Sequence, residues 1–107
     1  MALEIPQPIA DYFAADKGDG EALARCFTEE ATVVDEEHTY SGRSEIARWR
    51  NDAAAKYNYT AEPIALEKSD SVTVVTAHLV GDFPGSPVDL TYSFVLDGDK
   101  IAALEIE

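Results

Sequence analysis

The sequence predicts an α+β domain in which three N-terminal helices pack on one face of a mostly antiparallel sheet. Three observations carry that expectation. The first half places apolar residues at helical spacing, interrupted by one β-branched run, and the second half alternates apolar and polar residues between turn signals. The segment from Val72 carries apolar groups on both faces, as a strand covered on both sides does. At 107 residues, with 46% hydrophobic and 27% charged side chains, the chain suits a single domain, 1–107, whose core needs neither disulfide nor structural metal.

Taken in order, Pro6 and Pro8 suit a helix's first turn, and Ile5, Ile9, Tyr12 and Phe13 share one face after it. Lys17-Gly18-Asp19-Gly20 breaks that helix, and Asp19 is placed to cap a short second one burying Ala22, Leu23, Cys26 and Phe27. Ala31-Thr32-Val33-Val34-Asp35 reads as a short strand, followed by a turn through the charged run Asp35-Glu36-Glu37-His38 before Ser41-Gly42. From Arg43 to about Tyr57 the spacing is helical again, with Ile46, Trp49, Ala53 and Tyr57 inward. Arg48, Arg50, Asn51 and Asp52 are expected to face mostly outward, as a solvated surface. Three or four extended segments follow, at 59–68, 72–83, 88–96 and 100–107. Glu67-Lys68-Ser69-Asp70, Gly81 to Pro87, and Asp97-Gly98-Asp99 join them into a meander.

In the segment from Val72, one face is Thr73, Val75, Ala77 and Leu79, and the other is Val72, Val74, Thr76, His78 and Val80. Three short helices cover only one of these faces. The expected cover for the other is a second copy of the chain, giving a homodimer packed through its sheets.

Charge narrows the partners. Eight basic against 21 acidic residues leave a net charge of −13, which repels phosphate backbones and anionic lipid headgroups. Nucleic acid and membrane are therefore not expected partners. No apolar run approaches the ~20 residues of a membrane span, and no basic, apolar leader opens the chain. With the lone Cys26, this makes the cytoplasm the expected compartment.

Four segments together resemble the first half of a known family in order and spacing: Tyr12-Phe13-Ala14-Ala15, Gly18 to Leu23, Phe27 to Asp35, and Gly42-Arg43-Ser44-Glu45-Ile46. With the meander after them, nearly the whole chain is similar to the NTF2-like cone, most closely its SnoaL-like and ketosteroid-isomerase-like members. The resemblance implies a curved sheet wrapped around the helices, with an apolar cavity at the wide end. It also implies a role for Asp35, which stands where those families carry the cavity aspartate that moves a proton beside a carbonyl.

Physically, Asp35 ends an apolar strand on the same side as Val33, where partial desolvation would raise its pKa toward useful general-base values. The plainer alternative is a solvated acid opening the Asp35-Glu36-Glu37 turn. The rest of the isomerase site departs from the family. Its oxyanion hole pairs a first-helix tyrosine with a protonated aspartic acid on a late strand, and here Leu90 takes the acid's place, which argues against steroid isomerisation.

Other groups are available to bind or orient a ligand: the phenols of Tyr12, Tyr57, Tyr59 and Tyr92 and the indole N–H of Trp49, although such side chains also serve as ordinary core. His78 is a second catalytic candidate if it faces the cavity with Asp35, and a structural or dimer-interface residue if it does not. No metal-ligand spacing, phosphate loop or dinucleotide fingerprint is present, so neither metal nor cofactor is expected. Cys26 is expected as a buried structural thiol on the second helix.

The expected function is binding of a small apolar or carbonyl-containing molecule, with cofactor-independent isomerase, cyclase or dehydratase chemistry from Asp35. The alternative is a non-catalytic ligand-binding or dimerisation module of the same fold.

Overall fold

The computed structural model describes residues 4–16 and 20–107. Nine elements follow one another: α1 (Gln7–Ala15), α2 (Gly20–Ala24), β1 (Phe27–Asp35), β2 (His38–Ser41), α3 (Arg43–Lys56), β3 (Tyr59–Ser69), β4 (Val72–Gly81), β5 (Val88–Asp97) and β6 (Lys100–Ile106). The six strands form one sheet in the order β2-β1-β6-β5-β4-β3. Neighbours pair antiparallel except β1 and β6, which run parallel. That parallel pairing joins the N-terminal hairpin to the C-terminal meander, so the two halves of the chain share one core.

The helices lie on one face of the sheet. Ile9, Tyr12 and Phe13 of α1, Leu23 of α2 and Ile46 of α3 bury against Val33, Val75, Tyr92, Phe94 and Leu104. β4 alternates as its sequence predicts: Thr73, Val75, Ala77 and Leu79 are buried, while Val72, Val74, Thr76 and His78 are only half-covered and Val80 is 47% exposed.

Several expectations shift. β1 begins at Phe27 rather than Ala31, because α2 is a single short helix ending at Ala24. Phe27 is therefore a strand residue, pairing with Ile101 of β6. Cys26 lies in the turn between α2 and β1, half-buried, with Sγ 3.9 Å from the Ala22 carbonyl oxygen. The cap expected from Asp19 falls outside the described residues. The first N–H of α2, from Gly20, donates to Asn51 Oδ1 of α3 at 2.9 Å.

The expected turn through the charged run after Asp35 closes a hairpin onto a strand, β2, that the sequence reading did not include. Glu36 and Glu37 take φ of 52° and 66°, the left-handed pair of a type I′ turn, and Asp35 then pairs with His38. The returning strand β2 has only four residues, none of them buried, so it carries no alternation to read. Gly42, at φ 85°, then turns the chain into α3.

Candidate functional site

Strand parity puts Asp35 on the inner face. Ala31 and Val33 are buried there, and Asp35 follows two residues on, at the end of β1 beside Ile106 of β6. Where the sheet runs past the helices a hollow of about 420 Å³ remains, with Asp35 on its wall. Strand β5 contributes Val88, Leu90 and Tyr92, and α1 contributes Tyr12. Trp49 and Ala53 come from α3, Tyr57 and Tyr59 from the α3–β3 junction, and Phe83 and Pro84 from the β4–β5 loop.

The wall is mostly apolar, and its polar groups are few. Trp49 Nε1–H donates to Asp35 Oδ2 at 3.0 Å, which orients the carboxylate and leaves Oδ1 without that bond. The indole in turn rests against Tyr40 of β2, ring centroids 6.0 Å apart. Burial raises the Asp35 pKa above the ordinary carboxylate value; the Trp49 bond opposes the rise and the neighbouring Glu36 charge adds to it.

Four tyrosines, Tyr12, Tyr57, Tyr59 and Tyr92, line the same cavity. Tyr12 and Tyr92 are nearly inaccessible, their rings 6.1 Å apart among Phe13, Phe27 and Phe94. Burial pushes both phenols well above their ordinary pKa, and it pushes Tyr59 up to about 12. All three therefore stay protonated at neutral pH, each with a proton to give to a hydrogen bond. Tyr57 is 37% exposed and stands at the rim, edge-on to Phe83. The β4–β5 loop is fixed there by Asp82, whose Oδ1 accepts the Asn58 N–H at 2.9 Å while its own N–H donates to the Asn58 carbonyl at 3.1 Å.

The cavity thus brings together Asp35, Tyr12, Trp49, Tyr57, Tyr59 and Tyr92. It does not bring His78 to them. Alternation along β4 sends that side chain to the outer face, where Nδ1 lies 2.7 Å from Asp89 Oδ1 of β5, with Glu62 of β3 at the paired position on its other side. Arg43 holds the Phe27 carbonyl with Nε and Nη2 at 3.0 and 2.7 Å, tying the start of α3 to β1.

Arg50 corrects the sequence reading most. Expected on the solvated side of α3, it is 4% exposed. It stands four residues after the buried Ile46, on the same stripe of the helix, and that spacing was the available signal. Its Nε lies 2.7 Å from Asp16 Oδ1 at the end of α1, as an ion contact whose N–H is not aligned as a hydrogen bond. Nη2 donates to the Asp16 carbonyl and Nη1 to Tyr59 Oη. Among the described residues no group of three or more His, Cys, Asp or Glu side chains is arranged to hold a metal, and no helix is long and apolar enough to cross a membrane.

No protein-family model matches the chain, and a search of curated proteins finds no match. Among solved structures it is similar to a candidate polyketide cyclase from Sinorhizobium meliloti, at 39% identity over 97% of this chain and 96% of that one, with a TM-score of 0.92. A protein of ketosteroid isomerase-like fold from Catenulispora acidiphila, solved in complex with trimethylamine, shares 21% identity over 95% of this chain and 85% of that one, at a TM-score of 0.84. A candidate isomerase of the SnoaL-like family from Agrobacterium tumefaciens shares 19% identity over 92% of each chain, at 0.76. The latter two likenesses speak to fold alone. With the helices and the six-stranded sheet in place, the chain belongs to one family with that candidate polyketide cyclase, and its fold is the NTF2-like one of its SnoaL-like and ketosteroid isomerase-like neighbours.

Proposed function

We propose that the cavity binds a small, mostly apolar molecule bearing a carbonyl group, and that Asp35 removes a proton from the carbon next to that carbonyl. The observation that carries this reading is the Asp35 carboxylate itself: half-buried in an apolar hollow, one oxygen held by Trp49, its pKa raised by burial. Asp35 Oδ1 takes the proton, the C–H electron pair moves into an enolate, and protonated phenols stabilise the new charge on oxygen. Return of the proton to another carbon gives isomerisation; attack of the enolate carbon on a second carbonyl of the same substrate, whose C–O π pair moves to oxygen and takes the proton from Asp35, gives ring closure; and expulsion of a β-hydroxyl that takes that proton and leaves as water gives dehydration. None of these needs a cofactor. The likeness to a candidate polyketide cyclase at 39% identity supports the same class of chemistry.

The reaction proposed does not use His78. On the outer sheet face, with Val72, Val74 and Val80, it belongs to the surface proposed to meet a second copy of the chain. The lone, half-buried thiol of Cys26 agrees with the proposed cytoplasmic setting.

A second reading, binding without chemistry, is supported by Leu90, which offers an aliphatic wall where the resemblance places a second acid. Calorimetric titration with 2-tetralone, an apolar bicyclic ketone, tests the binding both readings share. The expected result is saturable binding to the parent protein and at least about tenfold weaker binding to a folded Ala53→Trp variant, whose new ring fills the cavity. Equal binding by the two proteins, or none by the parent, would reject the cavity as the site.

A further inference from the structure

We propose that Arg50 is a positioning residue that fixes Tyr59 as the donor to the substrate's oxygen, so that the tyrosine end of the cavity recognises an enolate or enol and Asp35 serves the adjacent carbon. This inference rests on the carbonyl chemistry proposed above and adds which phenol receives the charge and what aims it.

A phenol has one proton to give and lone pairs to receive, whereas a guanidinium only gives. Arg50 Nη1 donates to Tyr59 Oη, so the hydroxyl's acceptor side is occupied by a group that cannot take its proton. Among the described residues, no backbone or side-chain group accepts that proton either; the bond from Arg50 is the one the hydroxyl makes. Tyr59 lines the cavity, and a cavity ligand is the acceptor left to it.

The guanidinium is held well for this task. It is 4% exposed, paired with Asp16 Oδ1 at 2.7 Å, and bonded to the carbonyl that ends α1, while its Cζ lies 4.8 Å from the centre of the Tyr59 ring. Clamping α1 to α3 requires only the Asp16 contacts. The bond to Tyr59 is additional, and it makes the phenol a stronger donor, because a cation hydrogen-bonded to its oxygen stabilises the electron density that donation builds there. The Arg50 charge acts in that direction on Tyr59, against the opposing effects of burial and Asp16. Tyr12, Tyr92 and Asp35 are the other titratable groups whose electrostatics reach this ring and its neighbours. During proton abstraction Tyr59 keeps its proton and donates a hydrogen bond only; the substrate's proton goes to Asp35 and the electron pair to the substrate's oxygen.

The test uses 2-naphthol, whose anion has the shape and charge placement of a bicyclic enolate, and follows its binding and ionisation by fluorescence from neutral to alkaline pH. The full chain carrying Asp35→Asn serves as parent, because the amide stands in for the protonated acid that faces an enolate. The expected result is tight binding of the naphtholate form, with the bound probe ionising at lower pH than free probe. Adding Tyr59→Phe weakens naphtholate binding about ten- to hundredfold, the range for a hydrogen bond to a charged oxygen, and returns the probe's ionisation toward its free value. Adding Arg50→Met has the same effect as Tyr59→Phe, the two together lose no more than either alone, and Arg50→Lys falls between Arg50→Met and the parent.

Unchanged naphtholate affinity and ionisation in the Tyr59→Phe protein overturns the donor assignment while leaving the cavity reading intact. A Tyr59 effect accompanied by an unchanged, folded Arg50→Met protein reduces Arg50 to a clamp and overturns its positioning role. If Arg50→Met does not fold, Arg50→Lys decides, since an unchanged probe there rejects the role equally. Failure of 2-naphthol to bind the parent rejects the cavity reading, and this proposal with it.

Discussion

Two residues constrain Asp35, the proposed base, in different ways: Val33 sets the parity that turns it inward, and Trp49 holds one of its oxygens. The Trp49 bond favours the charged carboxylate and so lowers a pKa that burial has raised. Removing it with Trp49→Phe leaves the effect of burial less opposed, so the Asp35 pKa rises further. Because a base works when deprotonated, the rising acidic limb of the pH–rate profile moves to higher pH in that variant. A limb that stays in place or moves down would show that the bond does not tune the base. The inward turn of Asp35 was legible, since alternation along a β-branched run determines it. The burial of Arg50 was not, because a charged residue on a helix defaults to solvent until its partners, Asp16 and Tyr59, are known to converge from elsewhere in the chain.

The elements were legible to the extent that each carried its own period. The four strands of the second half begin where their alternation begins, and α3 spans nearly its predicted length. What escaped the reading was too short to show a period: the end of α2, a helix that was expected but stops after five residues, and the four-residue strand β2. Both are held by partners rather than by propensity. α2 leans on α3 through Gly20, where an added Cβ would sit 2.3 Å from the Ala47 carbonyl oxygen and 2.8 Å from Asn51 Oδ1. Gly20→Ala therefore forces the two helices apart, and a loss of about 1–3 kcal/mol of unfolding free energy is expected from urea denaturation. A loss no larger than a few tenths would show that the two helices are not in close contact at this point.

At the scale of the molecule, the sheet has one face under helices and another that a single chain leaves half-covered, with Val72, Val74 and Val95 beside the His78–Asp89 pair. The proposed homodimer would bury the apolar residues there, and burying apolar area is the main drive for such association. Sedimentation velocity should find a dimer at micromolar concentration, and Val74→Lys, which places a charge on the proposed interface, should shift it to monomer with little loss of fold. A parent protein that sediments as a monomer would remove the dimer from the account without touching the cavity.

In the chemistry proposed, this cavity moves a proton beside a carbonyl and Asp35 is the group that takes it. The most direct measurement is deuterium uptake at the carbons flanking the carbonyl of 2-tetralone in heavy water, followed by NMR with the parent protein, with Asp35→Asn and with no protein. The account predicts that the parent accelerates exchange over buffer and that the acceleration falls about a hundredfold or more in Asp35→Asn, the scale of general-base catalysis. Exchange at the buffer rate with a bound ketone, or equal acceleration by both proteins, would contradict it.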